Sequence, residues 1–140
     1  MSKQFTLGNE ERLKSRKLIE ELFKNGKSFN AFPFRVFYLT QNVASANESD
    51  RILLQFGVSA STKNFKKAVD RNRIKRLTRE AYRLQKNKLQ ETISRGNKSL
   101  FLFFVYTQKD LPDYETVFGK TGLILNKLVK LINETDSSTT

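Results

Sequence analysis

One run of seven apolar residues constrains the fold of this chain most. Residues 100–106 read Leu-Phe-Leu-Phe-Phe-Val-Tyr, with no alternation between apolar and polar positions. A strand that is apolar on both sides needs cover on both faces or a central place between neighbouring strands. The run is far short of the roughly 18 residues that span a bilayer, and its shortness and aromatic content argue against a buried helix. We therefore expect a covered, central β-strand.

The chain before this run opens with a predicted helix. Apolar side chains in residues 11–24 repeat at helical spacing, as at Leu18 and Leu22. Ser15 is a candidate N-terminal cap for this helix. Gly26 is a candidate left-handed residue at its end.

Two segments that follow have the composition of β-strands. Residues 34–39 are aromatic and β-branched and follow Pro33, and a short strand is expected before them at 28–29. Residues 51–59 place apolar side chains at alternate positions, which predicts a strand with one buried face. The polar segment 42–50 is expected to be a loop between the two longer strands.

Two further helices are predicted in the second half. Residues 65–93 form the longest helical pattern in the chain, and this pattern ends before Gly96 and Asn97. Pro112 and Asp113 open the last helix. The apolar stripe of that helix consists of Thr121, Ile124, Leu125, Leu128, Leu131 and Ile132.

The order of these elements predicts the fold class. A helix, two or three strands, a long helix, one more strand and a final helix indicate an α+β protein, a single-domain α-β sandwich with helices packed on a small sheet. We expect one domain over residues 1–134 and a disordered polar tail at residues 135–140.

The positive charge of the chain is concentrated in one segment. The formal net charge is +12, and residues 63–88 contain eleven basic residues against two acidic ones, a local net charge of +9. A helical wheel gathers four apolar side chains on a narrow face that we expect to pack on the sheet: Ile74, Leu77, Ala81 and Leu84. The opposite face gathers Arg71, Asn72, Lys75, Arg76, Arg79, Tyr82, Arg83 and Lys86. Because like charges one turn apart repel each other, we expect a polyanion, nucleic acid, as the partner.

The absence of histidine and cysteine excludes several kinds of enzyme. Without these residues the chain cannot form a zinc site of the structural type, a thiolate nucleophile, a Ser-His-Asp triad or an imidazole general base. The N-terminal residues also lack the apolar run of a secretory signal peptide. We therefore expect a cytoplasmic protein, which agrees with the lack of cysteine.

The centre of the basic segment resembles a known family. Residues 68–82 read Ala-Val-Asp-Arg-Asn-Arg-Ile-Lys-Arg-Leu-Thr-Arg-Glu-Ala-Tyr and look like the signature RNR helix of the bacterial ribonuclease P protein subunit. Residues 12–28 are similar to the opening helix of that family, and residues 56–59 to the strand before its basic helix. The resemblance covers residues 10–107 in order, and the last helix matches in kind only.

The resemblance implies a fold, an activity and partners. It implies an α-β sandwich with a left-handed crossover between parallel strands. The implied activity is that of ribonuclease P, the endonuclease that removes the 5′ leader of precursor tRNA. The implied catalyst is a partner RNA that binds the cofactor Mg²⁺, with no catalytic residue in the protein. The implied partners are this RNA and precursor tRNA, without DNA or a membrane.

The implied RNA-binding residues lie in and just before the basic helix. Six of them match the family motif position by position: Arg71, Asn72, Arg73, Lys75, Arg76 and Arg79. Arg83 extends the same face by one turn. Where the family often has Gly-Asn, this chain has Phe65-Lys66-Lys67, and Lys63, Lys66 and Lys67 keep the positive charge there.

The resemblance also implies a cleft over the sheet that receives the single-stranded leader. Phe23 aligns with a family phenylalanine on the first helix, whereas Ile19 stands where the family has a second aromatic residue. Phe37 aligns best with the strand aromatic, and Tyr38 is the alternative if the register shifts by one. Packing in the core is the competing explanation for each of these side chains.

Three other protein classes are compatible with a basic α+β domain. The first is a ribosomal or other structural RNA-binding protein. Only the three segments that match the ribonuclease P family in order argue against this alternative. A helix-turn-helix regulator of DNA needs a short helix before its recognition helix, but a strand is predicted here. A membrane-surface protein needs a broad Trp/Phe/Leu face that the basic helix lacks.

Overall fold

The computed structural model of the protein describes residues 11–42 and 53–138. These residues form four helices and four strands, which confirms the α+β class. The first half contains α1 (Arg16–Asn25), β1 (Lys27–Ala31), β2 (Phe34–Asn42) and β3 (Leu54–Ala60). The second half contains α2 (Ala68–Gln85), α3 (Asn87–Arg95), β4 (Lys98–Tyr106) and α4 (Tyr114–Ser138).

The four strands form one mixed sheet in the order β1-β2-β4-β3. β4 pairs antiparallel with β2 and parallel with β3, and β1 pairs antiparallel with β2. The apolar run therefore lies centrally, as predicted. The parallel strands β3 and β4 are connected through α2 and α3, which is the expected kind of crossover. The left-handedness of this crossover stays a prediction.

Helices cover both faces of the sheet. On one face, Leu100, Leu102 and Phe104 of β4 belong to the main core, which also contains the apolar side chains of α2, α3 and α4. On the other face, Phe101 and Phe103 pack in a smaller core under α1. This division follows from the alternation of side chains along a strand and explains why the run is apolar throughout.

The first helix is shorter than predicted. α1 begins at Arg16, not at residue 11, and Ser15 is its cap because the Ser15 side chain accepts a hydrogen bond from the Leu18 backbone N–H. Gly26 has a φ of −76°, so it is not left-handed as predicted. A Cβ at this position would collide with the Leu22 carbonyl oxygen, which explains the glycine.

The predicted long helix is two helices. α2 ends at Gln85, Lys86 breaks the helical run, and α3 begins at Asn87. The Lys86 side chain is only 2% exposed and forms an ion pair with Glu11. This partner lies far away in sequence, so helical periodicity alone does not predict the break. α3 then ends before Gly96 as expected, and Asn97 adopts the left-handed conformation with a φ of 51°.

The last helix begins and packs as predicted, but it is longer. Asp113 caps α4 by accepting a hydrogen bond from the Thr116 backbone N–H at 2.7 Å. The predicted stripe faces the main core, with Leu131 only partly buried. α4 continues to Ser138, so the tail expected to be disordered from residue 135 is helical up to that point. The loop predicted at 42–50 starts later than expected, because Asn42 is the last residue of β2. Residues 43–50 and the first two residues of the predicted strand 51–59 lie outside the described residues.

Candidate nucleic-acid interface

The basic face of α2 points away from the core. Four residues on its inner side are buried: Ile74, Thr78, Ala81 and Tyr82. The Thr78 hydroxyl donates to the Ile74 carbonyl oxygen at 2.8 Å, so this polar side chain is satisfied inside the core. The outer side carries Asn72, Arg73 and Arg76, which are exposed, and Arg71, Lys75, Arg79 and Arg83, which are partly exposed. The seven residues predicted on this helix are therefore available to a ligand.

Three residues assigned from the helical wheel lie elsewhere. Tyr82 and Lys86, predicted on the basic face, are buried, while Leu84, predicted on the inner face, is 39% exposed. Tyr82 stacks flat on Phe56 of β3, with ring centroids 4.1 Å apart and planes 5° apart. The four buried residues of α2 have the spacing i, i+4, i+7 and i+8. One of them, Thr78, is polar, so the pattern of apolar residues alone does not predict this face.

The segment before α2 is held by hydrogen bonds. The Arg71 guanidinium donates from Nη1 to the carbonyl oxygens of Phe65 and Lys66, at 2.7 Å and 3.0 Å. The Phe65 side chain is buried, which fixes this segment to the core. Lys63, Lys66 and Lys67 are all exposed around it. The three predicted lysines therefore lie just before the basic face. Arg71 differs from them because its guanidinium group already donates hydrogen bonds to backbone carbonyl oxygens.

The charges on α2 differ in their surroundings. Arg83 forms an ion pair with Glu80, and this hydrogen bond raises the pKa of Arg83 and lowers that of Glu80. Burial, with a smaller contribution from the charge of Arg12, lowers the pKa of Arg79. Arg83 is therefore partly neutralised by its own helix, while Arg79 feels the charge of another cation, Arg12, from a distant part of the chain.

Aromatic side chains meet where α1 crosses the sheet. Phe23 of α1 lies edge-on to Phe37 of β2 and Phe103 of β4, with centroid distances of 4.7 Å and 5.3 Å. We call Phe23, Phe37 and Phe103 the α1 aromatic cluster. Ile19 packs against the same small core and is partly buried. Phe23 is 45% exposed, so this ring has a face open to a ligand.

Tyr38 does not belong to the α1 aromatic cluster. It packs against the main core on the opposite face of the sheet, where its ring centroid lies 6.0 Å from that of Phe29. Successive side chains of a strand point to opposite faces, so Phe37 and Tyr38 cannot share one cleft. The structure therefore separates Tyr38 from Phe23 and Phe37, and a role of any of these rings in leader binding stays a prediction.

Two residues of this site, Phe103 and Arg35, were not predicted from the sequence. Phe103 is paired with Phe37 in the sheet register, and its ring fits because Gly57 has no side chain: a Cβ there would lie 2.8 Å from two Phe103 ring carbons. The Arg35 guanidinium carbon lies 5.3 Å from the Phe37 ring centroid, a cation–π contact. The signal for Arg35 was its position two residues before Phe37, on the same face of the strand.

The described residues offer little support for other classes of site. Across residues 11–42 and 53–138, no three histidine, cysteine, aspartate or glutamate side chains are grouped so that they could hold a metal ion. No helix in these ranges has the length and apolar character needed to cross a membrane. α2 follows β3 and an irregular segment, not a short helix and tight turn, which is against a helix-turn-helix protein.

Comparison with known proteins agrees with these features. A family model described as ribonuclease P matches residues 7–129. The ribonuclease P protein component of Porphyromonas gingivalis (strain ATCC 33277) is 38% identical over 113 residues, which are 81% of this chain and 79% of that protein. The protein component of Chlorobium phaeobacteroides is 32% identical over 130 residues, 88% of each chain.

Solved structures show the same fold. The RNase P protein of Thermotoga maritima superposes with a TM-score of 0.59 at 28% identity and covers 84% of this chain and 96% of its own. The RNase P protein of Staphylococcus aureus gives a TM-score of 0.61 at 21% identity, covering 84% and 94%. The exposed basic helix, the fold and these matches together establish that the chain belongs to the ribonuclease P family, as the protein component that acts in tRNA 5′ processing.

Proposed function

We propose that the outer face of α2 binds the RNA subunit of ribonuclease P and that the α1 aromatic cluster binds the 5′ leader of precursor tRNA. The observation that carries the proposal is the two-sided character of α2, with one side buried in the core and seven polar or basic residues on the other side. A helix fixed in this way presents its cations at constant spacing. The two sites lie on different elements, so one protein could contact two RNAs.

Binding through α2 would be driven by phosphate contacts. Each cation that neutralises a phosphate releases a counterion, so affinity falls with salt by roughly 0.7–0.9 logarithmic units per contact for each tenfold increase in salt. Arg73 and Arg76 are exposed, and neither forms an ion pair within the described residues. They are therefore the strongest candidates for direct phosphate contacts, followed by Lys75 and Arg79. Arg83 is a weaker candidate because Glu80 already binds it.

Leader binding would use Phe23 more than its neighbours. The exposed ring of Phe23 can stack on an unpaired base, an interaction that is tolerant of sequence. Phe37 and Phe103 are more buried and support that ring from below. Ile19 adds an apolar wall without a ring face. Arg35 lies close to Phe37, so its positive charge could attract the phosphate groups of the bound RNA leader.

Chemistry at the scissile phosphate is assigned to the partner RNA. Mg²⁺ prefers carboxylates together with phosphate oxygens, and the part of the chain that the structure describes has no cluster of acidic side chains. We therefore propose that the RNA supplies the ligands of the ion. The protein would supply cations that reduce phosphate repulsion between two RNAs. Since precursor tRNA is the substrate, we propose the cytoplasm as the location.

The test is the salt dependence of RNA binding. The double variant Arg73→Gln/Arg76→Gln should bind a transcript of the RNA subunit encoded by the same genome more weakly, with a slope reduced by roughly 1.4–1.8 for two lost contacts. The matched control Arg95→Gln/Lys130→Gln removes two exposed cations from α3 and α4 and should keep the wild-type slope. Equal slopes for the two double variants would show that α2 is not the RNA-binding face.

A further inference from the structure

The first described residues are attached along the edge of β3. We call residues 11–13 the N-terminal strap. Arg12 forms a parallel bridge with Phe56, and the Leu13 backbone N–H donates to the Phe56 carbonyl oxygen at 2.9 Å. The Leu13 side chain is buried in the small core under α1. The backbone of Arg12 is therefore fixed, although its side chain is exposed.

An ion pair ties the N-terminal strap to the end of α2. The Glu11 carboxylate accepts a hydrogen bond from the Lys86 ammonium group, and Lys86 is almost completely buried at the break between α2 and α3. A charge buried this deeply is costly unless it is paired. The pair therefore holds Glu11, and with it the next residue, at a defined place on the helix.

The same arrangement brings Arg12 to the basic face of α2. Tyr82 stacks on Phe56, the β3 residue that also binds the strap, so this part of α2 lies over the strap position. Arg79 precedes Tyr82 by three residues, so the two side chains are neighbours on the helix surface. Burial lowers the pKa of Arg79, and the charge of Arg12 lowers it further. No carboxylate within the described ranges forms an ion pair with either guanidinium.

We infer that Arg12 and Arg79 together bind one phosphate group of the partner RNA and that the Glu11–Lys86 ion pair is the positioning contact for Arg12. The charges of Arg12 and Arg79 repel each other, and a phosphate bound by both guanidinium groups would offset that repulsion. Guanidinium groups suit this role because their donors match phosphate oxygens in pairs. The inference rests on the proposed function, and it extends the RNA-binding face from one helix to the N-terminal strap.

The first experiment removes the side chain of Arg12. Arg12→Gln should reduce the salt slope for binding of the RNA-subunit transcript by roughly 0.7–0.9, whereas Arg95→Gln, an exposed arginine on α3, should leave it unchanged. Arg12→Gln/Arg79→Gln should lose about one contact and not two, because both groups share a phosphate. An unchanged slope for Arg12→Gln, beside a reduced slope for Arg73→Gln/Arg76→Gln, would overturn this inference and leave the proposed function intact.

The second experiment separates positioning from charge. Glu11→Gln changes the formal net charge from +12 to +13, so charge alone would tighten RNA binding, whereas loss of positioning should weaken it. Because this change leaves Lys86 buried without that carboxylate, the double variant Glu11→Gln/Lys86→Met is measured as well, at an unchanged net charge of +12. A cooperative thermal transition for the double variant, with a slope reduced as in Arg12→Gln, supports the inference. A wild-type slope in the folded double variant overturns the positioning role.

Discussion

Tyr82 is a core residue, although the sequence predicts it on the RNA-binding face. The helical wheel predicts it among the RNA-facing cations, yet its ring is fully buried against Phe56. Burial, and to a smaller extent the charge of Glu11, strongly raises the pKa of the Tyr82 hydroxyl, which therefore stays neutral. That hydroxyl also has no hydrogen-bond partner within the described residues. Its value to the protein lies in the flat stack and not in its polar group.

Replacing Tyr82 with phenylalanine should therefore be tolerated. Tyr82→Phe keeps the ring on Phe56 and removes an unsatisfied buried hydroxyl, so the free energy of unfolding should stay the same or rise by about 1 kcal/mol. Tyr82→Ala should lose roughly 3–5 kcal/mol because it opens a cavity. Urea denaturation measures both values. A clear loss of RNA binding by well-folded Tyr82→Phe would contradict the assignment of this residue to the core.

Phe23 and Phe37 should differ in their effect on leader binding. Phe23→Ala removes an exposed ring and should cost about 1–3 kcal/mol of affinity for precursor tRNA with a leader of several nucleotides. Binding of mature tRNA to the reconstituted enzyme should change little. Phe37→Ala should weaken leader binding too, but with a larger loss of stability because this ring is more buried. Phe118→Ala, an exposed ring on α4, is the control.

The measurement is the ratio of the two affinities, with each variant checked by thermal unfolding. If Phe23→Ala weakens binding of both RNAs equally, or if it simply unfolds, the ring belongs to the core and the leader lies elsewhere.

At the scale of elements, local patterns predicted what local packing determines. The continuous apolar run became the central strand, and the apolar stripe of α4 faces the main core, because each pattern records which sides of an element are covered. The break at Lys86 and the extended strap could not be predicted in this way. Both depend on contacts between residues 11–13 and segments that are 43 or more positions away. The same holds for the candidate site. The exposed cations of α2 could be predicted from the sequence, whereas the place of Phe103 beside Phe37 depends on the pairing of β2 with β4.

The start of α4 should show a pH-dependent contribution to stability. Hydrogen bonds from Thr116 lower the pKa of the Asp113 carboxyl below its ordinary value. A carboxyl with a lowered folded-state pKa stabilises the protein above its unfolded-state pKa, and this contribution disappears as the pH falls through the folded-state pKa. Asp113→Ala should therefore lower the thermal midpoint at neutral pH. The difference from wild type should vanish in acid.

Asp113→Asn is the matched control, since asparagine can cap a helix without titrating. Thermal midpoints measured across an acid pH series decide the matter. A difference between wild type and Asp113→Ala that stays constant as the pH falls through the lowered pKa of folded Asp113 would show that the carboxylate is not the cause.

At the scale of the whole molecule, the protein should be inactive without RNA. Purified protein with Mg²⁺ should not cleave precursor tRNA, because the chain has no histidine or cysteine and its described residues have no acidic cluster. Cleavage should appear when the RNA subunit encoded by the same genome is added. Raising the Mg²⁺ concentration should partly replace the protein, since both reduce phosphate repulsion.

A cleavage assay of the protein, the RNA and the mixture across a Mg²⁺ series gives the answer. Site-specific cleavage by RNA-free protein would refute this assignment of the chemistry. A mixture that shows no cleavage at any Mg²⁺ concentration would favour a purely structural role in RNA binding.

The strand order has a consequence for how the chain folds during synthesis. β4 lies between β2 and β3, although it is made after both of them. Until residues 98–106 have left the ribosome, β2 lacks one neighbour and β3 lacks its partner in the sheet, and open edges of this kind can pair with other chains. The inner face of α2 is likewise made before the strand that completes its core. The nascent chain therefore carries a cationic helix and two open strand edges at once, and insertion of β4 closes both edges in one late step.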